Sequence, residues 1–173
     1  LARALAGSSA DLPSLIAWPI SSQDQQAAKK LLQAHSITTP FVLVCPFAGG
    51  IFQGKEKVWT LFGVFVKTLI EHDFCVVCCP GPAEVQAAYA LHPKLQVLPE
   101  VSLRGYMAIA SQAKIVVSND SGSAHLAAAA QAHVISILRW SEQLSTVRPV
   151  TPHSTVVMVA DAWPSVEQVF LQL

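Results

Sequence analysis

Two repeats of apolar and polar positions alternate along this chain. Mostly apolar runs lie at Phe41 to Cys45, Phe74 to Cys79, Leu95 to Leu98, Lys114 to Ser118, His133 to Leu138 and Val156 to Val159. Runs of this length predict strands, and their continuous apolar character predicts burial on both faces. Between them, apolar residues return every three or four positions, as on a helix with one buried side. The first such stretch runs from Ser22, a cap, to His35, with Ala27, Ala28, Leu31 and Leu32 on one side. A second continues to about Asp73 with Trp59, Phe62, Val66, Leu69 and Ile70 facing inward, and a third to about Leu91. Ser102 to Gln112 follows with Leu103, Met107 and Ala110 inward, then a helix to about Ala132 and a closing helix from Ser165 to Leu173.

Strands alternating with helices predict right-handed βαβ units. The expected fold is α/β: a doubly wound, mostly parallel sheet of about six strands with helices on both faces. Residues 1–20, where Pro13 and Pro19 bracket a short apolar patch, read as a linker or interdomain segment, which leaves 21–173 as the domain. Arg139 to Pro152 is polar and shows no period.

Composition narrows the picture. With 173 residues, 52% of them hydrophobic and 13% charged, the chain can bury one full core. Eleven basic residues balance eleven acidic ones, so no broad field favours nucleic acid or an anionic membrane surface, and an anion site must be local. No apolar run approaches the roughly 20 residues that span a bilayer, and the N-terminus shows no basic-then-apolar signal pattern. The start at Leu1, with apolar Leu1, Ala4 and Leu5 close behind, suits a piece of a longer protein. Cys75 and Cys78 have CxxC spacing, but residues three apart on a strand point to opposite faces. They predict buried thiols rather than a metal or redox pair.

The candidate chemistry lies in three loops, each following a strand. In Ser118-Asn119-Asp120-Ser121-Gly122-Ser123-Ala124-His125 a β-branched run stops and an alanine-rich helix opens. Asp120 or Ser121 can cap that helix, Gly122 lets a ligand approach the backbone, and the first N–H groups attract phosphate. His125, four residues beyond Ser121, returns to the same helical face. The loop Pro46 to Lys57 carries Gly49, Gly50 and Gly54 with Lys55 and Lys57, either of which can supply a charge for phosphate. In the turn Pro80-Gly81-Pro82-Ala83-Glu84, the Glu84 carboxylate can serve the helix start or accept from two ribose hydroxyls. Parallel α/β sheets bind ligands beyond the carboxyl ends of their strands, which places all three loops on one edge. There is no G-x-G-x-x-G, no G-x-x-x-x-G-K-[ST] and no paired-aspartate motif, so a metal-free nucleotide-diphosphate site fits best.

Taken in order, Pro46-Phe47-Ala48-Gly49, Lys57-Val58-Trp59, Gly81-Pro82-Ala83-Glu84 and Ser118-Asn119-Asp120-Ser121-Gly122 with His125 resemble the carboxyl-terminal, donor-binding half of the lipopolysaccharide heptosyltransferases, glycosyltransferase family 9. The similarity runs from about residue 22 to 138. It implies one Rossmann-like half of a GT-B fold and transfer of a heptose from an ADP-sugar to the lipopolysaccharide core. No bound metal and no cofactor are implied, ADP-heptose being a substrate. By matching position, Lys57 would approach the donor's phosphate and sugar, Glu84 the adenosine ribose, and Ser121 and Gly122 the diphosphate. Asp120 would meet sugar hydroxyls and His125 would support the pocket. The acceptor site and the catalytic base would belong to an amino-terminal domain beyond these residues. The implied setting is cytoplasmic, peripheral at the inner face of the bacterial inner membrane. The family usually has Pro-Gly-Ala at Pro46-Phe47-Ala48 and Gly-Pro-Thr at Leu138-Arg139-Trp140-Ser141. Phe47 and Trp140 are therefore expected to reshape the sugar or base pocket. A reading from another class is a divergent, non-catalytic nucleotide- or sugar-binding module.

Overall fold

The structure, a computed structural model, describes residues 17–37, 40–52, 54–139, 148–149, 151–160 and 162–173. Most of the segment 1–20 and the Trp140-Ser141 departure lie outside the described residues. Six parallel strands form one sheet: β1 (Phe41–Cys45), β4 (Cys75–Cys78), β5 (Gln96–Val97), β6 (Ile115–Asn119), β7 (Val134–Leu138) and β8 (Ser154–Met158). Their spatial order is β5-β4-β1-β6-β7-β8. Every pairing in that sheet is parallel. The chain therefore winds outward from β1 in one direction through β4 and β5, then returns to the other side of β1 for β6, β7 and β8. The switch point lies between β1 and β6, which are in register from Val42↔Ile115 to Cys45↔Ser118.

The helices are α1 (Ser22–Ala34), α2 (Phe62–Glu71), α3 (Val85–Leu91), α4 (Leu103–Ala110), α5 (Gly122–Ala129) and α6 (Val166–Phe170). One face of the sheet buries Ala28 and Leu32 of α1, Tyr106 to Ala110 of α4, and Ala124, Ala127 and Ala128 of α5. The other buries Phe62, Phe65, Val66 and Leu69 of α2, Ala88 of α3 and Val169 of α6. The alternation of strand side chains supplies both cores: Phe41, Leu43 and Cys45 point to the first, Val42 and Val44 to the second. The CxxC pair divides the same way, with Cys75 packed on the first core and Cys78 within the second, so the sheet separates the two thiols.

Local chemistry sets the ends of these helices. The cap of α1 is Ser21 rather than Ser22, its Oγ accepting from the Asp24 N–H at 3.0 Å. Ser102 caps α4 by accepting from Gly105 N–H at 3.1 Å, and Ser165 with Gln168 forms a reciprocal capping box on α6. Leu103, expected inward, is 69% exposed, because α4 turns Tyr106, Met107 and Ala110 to the core and its first residue lies clear of it. Trp59 precedes α2 instead of lying on it, yet it is fully buried. A two-stranded hairpin, β2 (Ile51–Phe52) with β3 (Lys55–Glu56), interrupts the loop after β1. Gly50 and Gly54 adopt φ of 93° and 74° there, which side chains disfavour. Trp18 N–H donates to the Ala129 carbonyl at 2.8 Å and Ile20 packs on the first core, so residues 17–20 lie against the domain.

Candidate functional site

All three expected loops leave the carboxyl ends of strands: 46–57 from β1, 79–84 from β4 and 120–121 from β6. The first and third flank the switch point, where a doubly wound sheet opens a crevice. Across it the Lys57 ammonium meets the Asp120 carboxylate at 2.6 Å. Their side chains are only 24% and 14% exposed, so water screens the pair less than it screens a surface pair. One ammonium hydrogen is spent on Asp120; the other two, and the remaining lone pairs of the carboxylate, meet no partner among the described residues.

A buried amide holds this geometry. Asn119, the last residue of β6, is 0% exposed. Its Oδ1 accepts from the backbone N–H of Trp59 at 2.9 Å and its Nδ2 donates to the carbonyl of Pro46 at 2.7 Å. One side chain thus ties down both ends of the loop that carries Lys57, next to the residue with which that lysine pairs. Trp59 anchors the far end further, its indole N–H donating to the Pro164 carbonyl at 2.9 Å and its ring packing on Phe62 and Phe65. Asn119 and Trp59 both lie in stretches that carry the family resemblance, yet the sequence pattern assigns neither a role in the site, although an asparagine closing a β-branched run is a signal of a polar group carried into a core.

Ser121 takes the cap position of α5, but its side chain makes no cap bond. Its Oγ lies 3.1 Å from Ser118 Oγ, and the Ser118 hydroxyl donates to the Asn119 carbonyl at 2.9 Å. With the Ser118 proton committed, Ser121 is the donor between the two hydroxyls. The Gly122 and Ser123 N–H groups find no acceptor among the described residues, and a Cβ at Gly122 would meet nothing within 4 Å. This turn is open and presents N–H groups at the positive end of a helix.

Glu84 is half-buried and its Oε2 accepts from Gly81 N–H at 2.8 Å, the capping use. A Cβ at Gly81 would stand 3.2 Å from that oxygen, so a side chain there would push the carboxylate aside by a few tenths of an ångström. The carboxylate lies close enough to Cys45 and Cys78, at the ends of β1 and β4, to help hold both thiols protonated, although burial is the larger cause. His125 is exposed and makes no hydrogen bond to the turn among the described residues. The structure thus joins Lys57 to Asp120 and sets Ser121 and Gly122 beside them, with Glu84 on the same edge and His125 on the outer side of α5. Phe47, expected at a ligand edge, is half-buried just beyond β1 and packs on the second core. Among the described residues no group of three or more His, Cys, Asp or Glu side chains converges on a metal-sized space. None of the described helices is long and apolar enough to cross a membrane.

Fold and site define a doubly wound α/β domain with a charged pair and an open helix start at its switch point. The chain belongs to glycosyltransferase family 9 (heptosyltransferase), which it matches over residues 2–171. It is similar to the solved ADP-heptose lipopolysaccharide heptosyltransferase II of Escherichia coli, with a TM-score of 0.69 and 21% identity, covering 87% of this chain and 48% of that one. A family 9 glycosyl transferase from Veillonella parvula superposes with a TM-score of 0.70 at 17% identity, over 90% of this chain and 46% of that one. For the Escherichia coli heptosyltransferase WaaC with ADP the values are 0.64, 19%, 84% and 47%. At these identities the likeness is one of fold, a Rossmann-like half of the GT-B architecture, and the chain spans about half the length of each. The sequence finds no match among curated proteins.

Proposed function

We propose that this chain is the donor-binding domain of an inverting, metal-independent glycosyltransferase that moves heptose, or a related sugar, from an ADP-sugar to the lipopolysaccharide core. The observation that carries this reading is the Lys57–Asp120 pair at 2.6 Å, spanning the switch point beside the open turn of α5. Family membership supports it, as does the solved neighbour that holds ADP.

In this reading the Gly122 and Ser123 N–H groups receive the diphosphate, and Ser121 turns its proton from Ser118 toward it. Lys57 keeps one bond to Asp120 and offers its other hydrogens to the phosphate oxygen that leaves. Asp120, neutralised on one side by Lys57, accepts from sugar hydroxyls, and the free oxygen of Glu84 accepts from the adenosine ribose. In the transfer the acceptor hydroxyl oxygen bonds to the anomeric carbon as the bond to the diphosphate breaks. The electron pair leaves on the β-phosphate oxygen, and the hydroxyl proton passes to a base in an acceptor-binding half. These side chains hold the donor in line and stabilise the charge that develops on the departing diphosphate. The setting is the inner face of the bacterial inner membrane.

Calorimetric titration of the chain with ADP, set against UDP, GDP and NAD, tests the reading. The expected result is preferential binding of ADP, weakened in Glu84→Ala and Ser121→Ala. A folded chain that binds UDP or GDP as well as ADP would remove the ADP-sugar assignment. One that ignores all four would remove the donor-domain reading.

A further inference from the structure

Tyr106 lies on α4, outside the three loops, yet its hydroxyl ends against the helix that opens the site. The residue is 6% exposed and its O–H donates to the Ser123 carbonyl, in the first turn of α5, at 2.9 Å. Its single proton being committed there, the phenol oxygen accepts from the Cys45 thiol 3.2 Å away. Burial pushes that thiol up to about 11, so it remains a protonated donor at neutral pH.

Elsewhere the helix is held by the Ser118–Ser121 hydroxyl contact at its cap, by the Trp18 bond to Ala129 at its last residue and by side-chain packing. The side chains α5 fully buries are Ala124, Ala127 and Ala128, with Leu126 and Ala129 partly buried against the same core. Small side chains let a helix approach the sheet closely but offer no large knob to stop it sliding or turning. A hydrogen bond is directional and supplies that constraint at one carbonyl. The carbonyl belongs to Ser123, whose own N–H, with that of Gly122, has no acceptor among the described residues.

We infer that Tyr106 is a positioning residue for anion binding at the start of α5, its hydroxyl fixing where the N–H groups of Gly122 and Ser123 stand. The inference rests on the reading of that turn as the diphosphate site. It reaches the ligand only through the backbone, and it concerns the phosphates rather than the nucleoside.

Tyr106→Phe keeps the ring in its core and removes only the hydroxyl, so the fold is retained. The full 173-residue chain, parent and variant, is titrated with ADP and separately with adenosine, followed by backbone amide resonances. The expected result is ADP binding about fivefold weaker in the variant, the loss of roughly one neutral hydrogen bond's effect. Adenosine binding stays unchanged, and the Gly122 and Ser123 amides move in the free variant. A variant that binds ADP like the parent overturns the inference, and so does one that loses ADP and adenosine in equal proportion, because that is general support of the fold. A parent chain whose response to ADP is no stronger than to adenosine removes the diphosphate reading and this inference with it, a failure visible without the variant.

Discussion

The two helices nearest the candidate site, α2 and α5, are built from different materials. Over β1 and β4, α2 presents Phe62, Phe65, Val66 and Leu69, with Trp59 wedged ahead of it and aromatic contacts at 5.3 and 5.6 Å between ring centres. On the opposite face α5 presents alanines, and buried hydroxyl and thiol groups lie between it and the sheet. Large interlocking rings hold the first layer by volume. On the opposite face α5 itself is held by close approach and a few directional bonds, beside the larger Tyr106, Met107 and Ile109 of α4. The candidate site takes one charged partner from each side of this contrast: Lys57 from the loop rooted by Trp59, Asp120 from the turn that opens α5. A position set by aromatic packing together with buried hydrogen bonds and a position at the start of an alanine helix meet in one ion pair.

The contrast sets an order of effects. Trp59→Ala is expected to be the most disruptive, at about 3–5 kcal/mol by denaturant unfolding, because it empties a fully buried ring site and removes the indole bond to Pro164. A loss under about 1 kcal/mol would mean that the aromatic layer does not anchor the loop. Asn119→Ala leaves the Trp59 N–H and the Pro46 carbonyl without their partners. It is expected to cost about 2–3 kcal/mol in the same measurement and to weaken ADP binding as much as Lys57→Ala does. Ala127→Leu inserts volume where α5 meets the sheet and is expected to cost about 1–3 kcal/mol. The same enlargement at Val64, 53% exposed on α2, should be nearly silent.

The thiols give the smallest and most graded test. Burial raises Cys45 from 9.0 to about 11, so the folded state favours the neutral form. That contribution is complete below pH 9 and is lost as pH rises toward 11. Stability should be flat near neutrality and fall by roughly 1.4 kcal/mol per pH unit for this thiol above pH 9. Cys45→Ala should flatten part of that fall, and an unchanged slope would show that the thiol is not held neutral in the folded state.

Much of this was readable from one-dimensional pattern. Apolar runs and helical periods place every strand of the main sheet and each helix within a few residues, because both faces of a parallel sheet demand continuous apolar strands. The hairpin at 51–56 escaped because two-residue strands carry no period. Leu103 misled because a leucine at helical spacing need not lie beneath another layer. The residue types of the candidate site were legible, and Lys57, Asp120, Ser121 and Gly122 are brought together. What was not legible is the arrangement that holds them. Asn119 reads as one more turn residue until the fold sets Pro46 and Trp59 on either side of it, and Tyr106 reads as core until its hydroxyl is seen against Ser123.

The most direct test of the central claim is to map ADP onto the folded chain by amide chemical-shift changes. A rival location exists at the other end of the sheet, where a cavity of about 670 Å³ is lined by Lys29, Gln33, Phe41 and Lys114. The expected result is that shifts concentrate at Lys57, Asp120, Gly122 and Ser123, with Glu84 at their margin, while Lys29 and Lys114 stay still. Shifts gathered around Lys29 and Lys114, with the carboxyl edge unmoved, would contradict the account.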